Sequence, residues 1–237
     1  MKIAISQPTY LPWQGYFALI EYVDEFIFLE NIQFNKRSWQ QRNKIKKNDK
    51  EIFLTMPVKS KGKFIQNICD VEIDNFNKNK MKHIMSIKNA YSKCRYFDEY
   101  FDGFLKIFSK NYTKLSELNK DLIIHICIIL GIKTTISNDK IFNLSSKKVD
   151  YLRDICLIKK CNNYITTLGS QNYFGETQYF SETKIKIDYF DFQDNEYLQI
   201  SKNFIPRLSI IDLLFNLGPD TLKYLKNNFF ICKQKDY

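Results

Sequence analysis

Residues 2–31 read KIAISQPTYLPWQGYFALIEYVDEFIFLEN. The run KIAIS (2–6) is short and mostly apolar and stops before Gln7-Pro8, as expected of a buried strand. GYFALIEYV (15–23) repeats apolar residues at helical spacing, and EFIFLEN (25–31) is typical of a second strand. A strand, a helix and a strand in about 30 residues make a βαβ unit, which predicts a parallel sheet with a right-handed crossover.

The rest of the chain predicts further strands on either side of a block of helices. We expect strands over 51–59, 68–74, 163–168 and 183–192, and helices over 76–93, 97–110, 114–131, 145–161 and 209–217, with a last helix from Asp220. Gly131 lies where a C-terminal helix cap belongs, and Gly218-Pro219 ends helix 209–217. The expected fold class is α/β, with a parallel Rossmann-like sheet core and a central helical insertion or cap. No linker marks a boundary, so residues 1–237 are predicted to form a single domain whose helical block spans roughly 76–132.

The composition predicts a soluble, cytoplasmic protein. The formal net charge of +10 indicates either an anionic partner or compositional drift, and its diffuse distribution argues against nucleic acid. The six cysteines contain no CxxC pair, which favours buried free thiols over a metal site. The longest apolar run, LIIHICIIL (122–130), is too short to span a membrane, and the N-terminus lacks a signal-peptide pattern.

Two loops at the same edge of the predicted sheet carry most of the candidate binding residues. In the loop after the first strand, two prolines add stiffness, and Gly15 is expected to free a backbone N–H as an anion site at a helix start. In the loop over 31–46, Arg42 and its basic neighbours Lys36 and Arg37 are candidates for clamping a phosphate or carboxylate, and Trp39 for stacking on a base or sugar. The alternatives are a rigid, aromatic-packed turn and a solvated basic loop.

Few side chains are candidates for acid–base chemistry. The chain lacks a Ser-His-Asp order, a G-x-S-x-G motif and a Walker loop. His125 lies in an apolar run and is expected to be structural, whereas His83 lies in a polar helix, where a surface role is expected. The remaining candidate bases are Asp24, Asp70, Asp74, Asp188, Asp191 and Asp212. Asp212 stands alone among apolar residues and must meet a partner, since an unpaired buried carboxylate is costly, so hydrogen bonding and catalysis are both open to it.

The chain resembles the WbqC-like family almost from end to end. The resemblance is carried by QPTYLPWQGYFALI (7–20), Trp39 with RNKI (42–45), PVK (57–59) and LSIIDLLFNLGP (208–219). It implies a role in bacterial O-antigen or other surface-polysaccharide biosynthesis, such as the lipopolysaccharide pathway, and transfer of glycine or a similar amino acid to an amino sugar. The start of the chain also looks similar to nucleotidylyltransferase-type folds, but Trp13 and Tyr16 replace their two histidines, so this likeness bears on the fold alone.

The family pattern also implies which residues matter. Carried onto this sequence it singles out Gln7, Pro8, Tyr10, Pro12, Gly15, Tyr16, Asp24, Gln33, Lys36, Trp39, Arg42, Asn43, Pro57, Lys59, Tyr197, Gln199, Phe204, Ser209, Asp212, Asn216 and Gly218.

The resulting hypothesis is an amino-sugar N-acyltransferase or aminoacyltransferase. Asp24 or Asp212 is the candidate base, and Gln7 and Asn43 are the candidate donors to an oxyanion. The candidate substrate-binding residues are Tyr10, Trp13, Gly15, Tyr16, Gln33, Lys36, Trp39, Arg42, Lys59 and Asn216. The acceptor is a nucleotide-linked amino sugar. The donor is left open among acyl-CoA, acyl carrier protein, a charged tRNA and an amino acid activated by ATP, and the oligomeric state is left open too.

Two other interpretations are kept. One is a non-catalytic module that binds a sugar nucleotide or glycan precursor and docks with other assembly enzymes. It differs from the enzyme in needing no acid beside the loop over 7–16. The other is nucleic-acid binding, which requires a continuous positive stripe with exposed aromatic residues.

Overall fold

The computed structural model describes residues 1–63, 65–170, 180 and 183–233. The strands are β1 (Lys2–Ser6), β2 (Glu25–Phe28), β3 (Arg42–Lys47), β4 (Lys50–Thr55), β5 (Thr135–Asn138), β6 (Asn163–Thr167), β7 (Lys186–Phe192) and β8 (Phe229–Lys233). The helices are α1 (Gln14–Tyr22), α2 (Phe76–Tyr91), α3 (Phe97–Ser109), α4 (Leu115–Leu130), α5 (Lys148–Ile158), α6 (Ile210–Leu217) and α7 (Thr221–Asn227). Within these residues no helix is long and apolar enough to cross a membrane.

The central sheet has six strands in the order β5-β2-β1-β6-β7-β8, and only the β7–β8 pair is antiparallel. The predicted β1–α1–β2 unit is confirmed, with Ile3 opposite Glu25 and Ser6 opposite Phe28. The α/β, Rossmann-like fold class is confirmed as well. From β1 the chain turns to β2 on one side, whereas β6 lies on the other side. The carboxyl ends of β1 and β6 therefore form a topological switch point, where ligands of open α/β sheets bind.

The two faces of the sheet are covered by different helices. Successive side chains of a strand point to opposite faces. Ala4, Phe26 and Ile165 pack in one buried cluster with α1, α3, α4 and α6. Ile3, Ile27 and Tyr164 pack in a second cluster with α5. The helices of the predicted central block thus cover the same face as α1, and their three predicted positions are confirmed.

The structure corrects one predicted strand and one predicted loop. Residues 42–47, assigned to a loop, form β3, which pairs with β4 in a separate antiparallel hairpin. Its two-residue turn, Asn48-Asp49, has positive φ at both positions (50° and 57°), as a type I′ turn requires. The predicted strand over 68–74 is instead a short 3₁₀ turn followed by isolated bridges. Its backbone groups bond to separate loops, for example Cys69 N–H to Glu30 O at 3.2 Å.

The structure adds two short strands that were not predicted. Strand β5 extends the sheet beyond β2, and β8 pairs with β7 at the other edge. Each is only four or five residues long, which is too short for a clear alternation in the sequence.

Gly131 and Gly218 each follow a helix and have positive φ, 71° and 53°, and Gly131 adopts the left-handed helical conformation. A Cβ on Gly131 would meet no atom within 4 Å, whereas a Cβ on Gly218 would lie 2.4 Å from the Tyr96 ring. We expect Gly131→Ala to lower the free energy of unfolding by ~1 kcal/mol. Gly218→Ala should cost ~1–3 kcal/mol more, because Tyr96 must also move. Urea unfolding of the two variants tests this, and equal losses would contradict it.

Candidate functional site

A crevice of about 610 Å³ opens at the carboxyl ends of β1, β6 and β7. We call it the switch-point crevice. Ser6, Thr167 and Phe192, which end these three strands, all line it. The loop after β1 supplies Trp13, and the loop that precedes β3 supplies Trp39. The fold therefore brings both loops named in the sequence analysis to one cavity.

The lining of this crevice is aromatic, with a few charged groups. The rings are those of Trp13, Tyr16, Trp39, Phe190 and Phe192. Asp191 is the carboxylate among the described lining residues, and one of its oxygens accepts the Phe192 N–H at 3.0 Å. Lys44 and Arg207 supply positive charge, and Lys44 also pairs with Glu51 at 2.7 Å. Such an aromatic cavity can hold a ring, and its lining residues include charges of both signs.

The position of the Trp13 ring rules out the open anion site that was predicted at Gly15. A Cβ on Gly15 would lie 2.4 Å from the Trp13 ring, which covers the start of α1. Trp13 also meets Phe192 edge-to-face at 5.6 Å. The absence of a side chain at Gly15 thus makes room for an indole that forms a crevice wall, and the helix start is not the open anion site that we expected.

A second crevice, of about 1110 Å³, opens on the other side of the end of β1. Gln7 follows β1, Asn31 follows β2, and Lys140 follows β5. Gln33 and the residues at the start of α5, with Lys147 and Lys148, complete its polar lining. We call it the lysine crevice. The lysines were not among the predicted site residues.

Hydrogen bonds fix the orientation of the Gln7 amide. The Asn35 N–H donates to Gln40 Oε1 at 3.2 Å, so the other terminal atom of that amide, Gln40 Nε2, is its hydrogen-bond donor. Gln40 Nε2 then donates to Gln7 Oε1 at 2.6 Å. Gln7 Nε2 is left as the donor atom. Because Gln7 lines the lysine crevice, this N–H group can serve a ligand there.

The predicted cations Lys36, Arg37, Arg42 and Lys59 lie outside both crevices. Lys36 is exposed, Arg42 lies 4.7 Å from the centre of the Phe53 ring, and Lys59 pairs with Glu72 at 3.0 Å. Arg42 faces the hairpin surface because it belongs to β3 rather than to a loop. Trp39 is 51% exposed and stacks on Phe53 at 6.2 Å, so one of its faces remains open beside the switch-point crevice.

Asp24 and Asn43 have structural partners. Asp24 lies at the amino ends of the strands, where it accepts the Lys2 N–H at 2.7 Å, and is therefore at the opposite edge of the sheet from both crevices. Asn43 lines the switch-point crevice, but its amide donates to Leu11 O at 2.7 Å and accepts the Lys44 N–H at 2.8 Å. Asn43 thus holds the loop after β1 against β3.

Asp212 lies in a buried polar network below the loops. It accepts a hydrogen bond from Tyr197 Oη at 2.7 Å, and its pKa is raised chiefly by burial. The Tyr197 hydroxyl in turn accepts from Gln14 and Gln199, each at 3.2 Å. Asn216 donates to the Asp212 carbonyl at 2.7 Å. Neither crevice is lined by Asp212 or Asn216, so the geometry supports the hydrogen-bonding alternative for Asp212.

Lys46 anchors the same network and was missed by the sequence analysis. It is fully buried, and its ammonium donates to Gln199 at 3.1 Å and to the carbonyls of Ser201 and Asn203. Nothing in the charged run RNKIKK distinguishes it from its exposed neighbours. The alternation of β3 places Lys46 on the same side as the half-buried Arg42 and Lys44, so it does not mark Lys46 either. Lys46 is buried because the segment over 199–203 covers its ammonium.

His83 corrects another expectation, because it is 5% exposed rather than on the surface. Its Nε2–H donates to Thr55 O at 3.1 Å, and its Nδ1 accepts the Tyr10 O–H at 2.6 Å. Tyr10, predicted to bind substrate, is itself fully buried by this contact. His125 packs edge-to-face on Phe104 at 5.5 Å, which agrees with the structural role expected of it.

Comparisons with known proteins give a family but no named activity. The sequence model of the WbqC-like protein family matches residues 7–224. The uncharacterized protein Rv1507c of Mycobacterium tuberculosis is 36% identical over 230 residues, which cover 95% of this chain and 99% of that protein. No solved structure matches the chain.

The His83 site predicts a pH dependence of stability. Burial lowers the pKa of His83 to about 4, whereas an unfolded histidine titrates near ~6.5. The unfolded chain therefore binds a proton first as the pH falls, and stability that is present above ~6.5 is lost toward 4. We expect His83 to contribute a loss of about 2 kcal/mol between pH 7 and pH 4.5.

The measurement compares urea unfolding of the wild type and His83→Gln at both pH values. The variant should be less stable at pH 7 but should lose less stability on acidification. Identical losses in the two proteins would show that His83 does not titrate in this way.

Proposed function

The chain belongs to the WbqC-like protein family, and on that basis we propose that it transfers a glycine-like amino acid or a short acyl group to the amine of a nucleotide-linked amino sugar. The product would serve bacterial surface-polysaccharide biosynthesis, such as that of O-antigen. The observation that carries this proposal is the presence of Asp191 in an aromatic crevice at the switch point of the sheet.

The crevice offers each part of the acceptor a suitable group. Trp13 and Trp39 present ring faces or edges to a sugar or a base. Asp191 complements the sugar ammonium with a charge-assisted hydrogen bond. Lys44 and Arg207 lie where they can meet the diphosphate.

Asp191 is also the candidate base in place of Asp24 and Asp212. The sugar ammonium first releases one proton to solvent, and the resulting neutral amine attacks the carbonyl carbon of the acyl donor. The attacking nitrogen becomes more acidic as the N–C bond forms. Asp191 can then accept the proton that this nitrogen loses, while the donor's leaving group departs with the electron pair of the broken bond. Ser6, Thr9 and Thr167 supply hydroxyl groups for the developing oxyanion.

Recognition of the amine predicts a preference that a matched pair of ligands can reveal. We expect the protein to bind a UDP- or dTDP-amino sugar about tenfold more tightly than its N-acetyl counterpart, which lacks the positive charge. Asp191→Asn should abolish this preference and the transfer activity without lowering the melting temperature. Calorimetric titration measures the preference.

The control variant is Asp188→Asn. Residue 188 lies on the same strand but outside the crevice lining, and an asparagine there can still accept the hydrogen bond from Asn163. It should keep both the preference and the activity. A preference that survives Asp191→Asn would refute the role of Asp191. Tight binding of the amino sugar without turnover by any of the activated donors would identify the protein as the non-catalytic binding module instead.

A further inference from the structure

The lysine crevice has a lining unlike that of the switch-point crevice. Lys140, Lys147 and Lys148 supply its charge, and no carboxylate occurs among its described lining residues. Six amide side chains surround it, those of Gln7, Asn31, Gln33, Asn35, Asn67 and Asn143. Amide groups both donate and accept hydrogen bonds, so this lining suits a ligand with hydroxyl or amide groups as well as negative charge.

The three lysines keep their charge available. In the described part of the chain none of them forms an ion pair, in contrast to Lys44, Lys59 and Lys120. The carboxylates behind the lining already have partners: Asp139 accepts the N–H groups of Glu30 and Asn31 and the Tyr151 hydroxyl. Glu30 pairs with Lys120 at 2.8 Å.

Besides the three ammonium groups, two hydrogen-bond donors of the lining are available to a ligand. Gln7 Nε2 is left as a donor by the hydrogen bond that Gln7 Oε1 accepts. Ser146 Oγ is buried and has no hydrogen-bond partner within the described residues. A phosphate group, with several acceptor oxygens, matches both these donors and the nearby lysines.

We propose that the lysine crevice binds a second, phosphate-bearing substrate through Lys140, Lys147 and Lys148. This inference rests on the proposed function, in which the ligand would be the activated donor. The volume of about 1110 Å³ accommodates a ligand of nucleotide size.

The position of the crevice fits a reaction between two bound substrates. Ser6 lines the switch-point crevice and Gln7, the next residue, lines the lysine crevice. Adjacent Cα atoms are only about 3.8 Å apart. The two cavities therefore meet the end of β1 from opposite faces of the sheet, the switch-point crevice on the α1 side and the lysine crevice on the α5 side. A phosphate-bearing ligand and the acceptor can thus be bound at the same time.

The test uses the intact protein and three probes: inorganic pyrophosphate, ATP and coenzyme A. Calorimetric titration compares the wild type with the double variant Lys140→Gln/Lys147→Gln. Lys148 is left unchanged because its φ is 55°, so a substitution there would also alter the backbone strain. The matched control is Lys93→Gln/Lys223→Gln, which removes the same charge from exposed positions of the surface elsewhere.

We expect at least one probe to bind the wild type, and to bind the Lys140/Lys147 variant about tenfold or more weakly. The control should change affinity by less than twofold, and both variants should keep the wild-type melting temperature. If pyrophosphate alone binds, the crevice recognises the phosphate groups that the three probes share. If ATP or coenzyme A binds more tightly than pyrophosphate, that probe identifies the class of acyl donor that the crevice prefers.

Lysine acetylation with mass-spectrometric readout provides a second measurement. The bound probe should protect Lys140, Lys147 and Lys148 and leave Lys93 and Lys223 reactive. Equal weakening in both double variants, protection elsewhere, or no binding of any probe would overturn the inference. None of these measurements requires transfer activity, so the inference can hold even if the acceptor proves not to be an amino sugar.

Discussion

The arrangement of both crevices depends on the hydrogen bonds that hold the loop after β1 in place. This loop has no regular structure, so its buried backbone groups need partners elsewhere. The buried Asn119 of α4 donates to Pro8 O of this loop at 3.0 Å and to Gln40 O of the loop before β3 at 2.8 Å. The Tyr10 N–H donates to Trp39 O at 3.0 Å. One helix of the central block therefore binds both loops at once, and the position of Trp13 and Trp39 follows from it.

The residues near the C-terminus that the family pattern singles out serve a different purpose. Tyr197, Gln199, Asp212 and Asn216 belong to one buried network that also includes Lys46. Buried charges persist in a protein only when hydrogen bonds compensate for their lost hydration. In this network they fix the segment before α6 against the hairpin, and Arg207 of that segment lines the switch-point crevice. Polar residues of a family pattern can thus act on a site through the loops that they hold.

Local patterns predicted the elements well, whereas pairings between distant segments decided the site. The helices of the central block and the β1–α1–β2 unit have clear periodicity and were predicted correctly. The β3–β4 hairpin was missed because Asn48-Asp49 forms its turn without a glycine. Asp191 was one of six candidate aspartates, and the sequence analysis chose Asp24 or Asp212 as the base instead. Its place in the crevice depends on β6 and β7 lying beside β1, which no local pattern records.

The meaning of the net charge of +10 depends on which lysines already have partners. Glu72 alone meets Lys59, Lys63 and Lys114 at 3.0–4.0 Å, and these lysines lower its pKa. Such exposed ion pairs contribute little to the free energy of unfolding. They nevertheless cancel most of the positive potential that would attract an anion to these lysines. Around the lysine crevice no ion pair among the described residues cancels the charge of the three lysines. The proposed anion site therefore depends less on the number of lysines in the chain than on the absence of carboxylates from the described lining of this crevice.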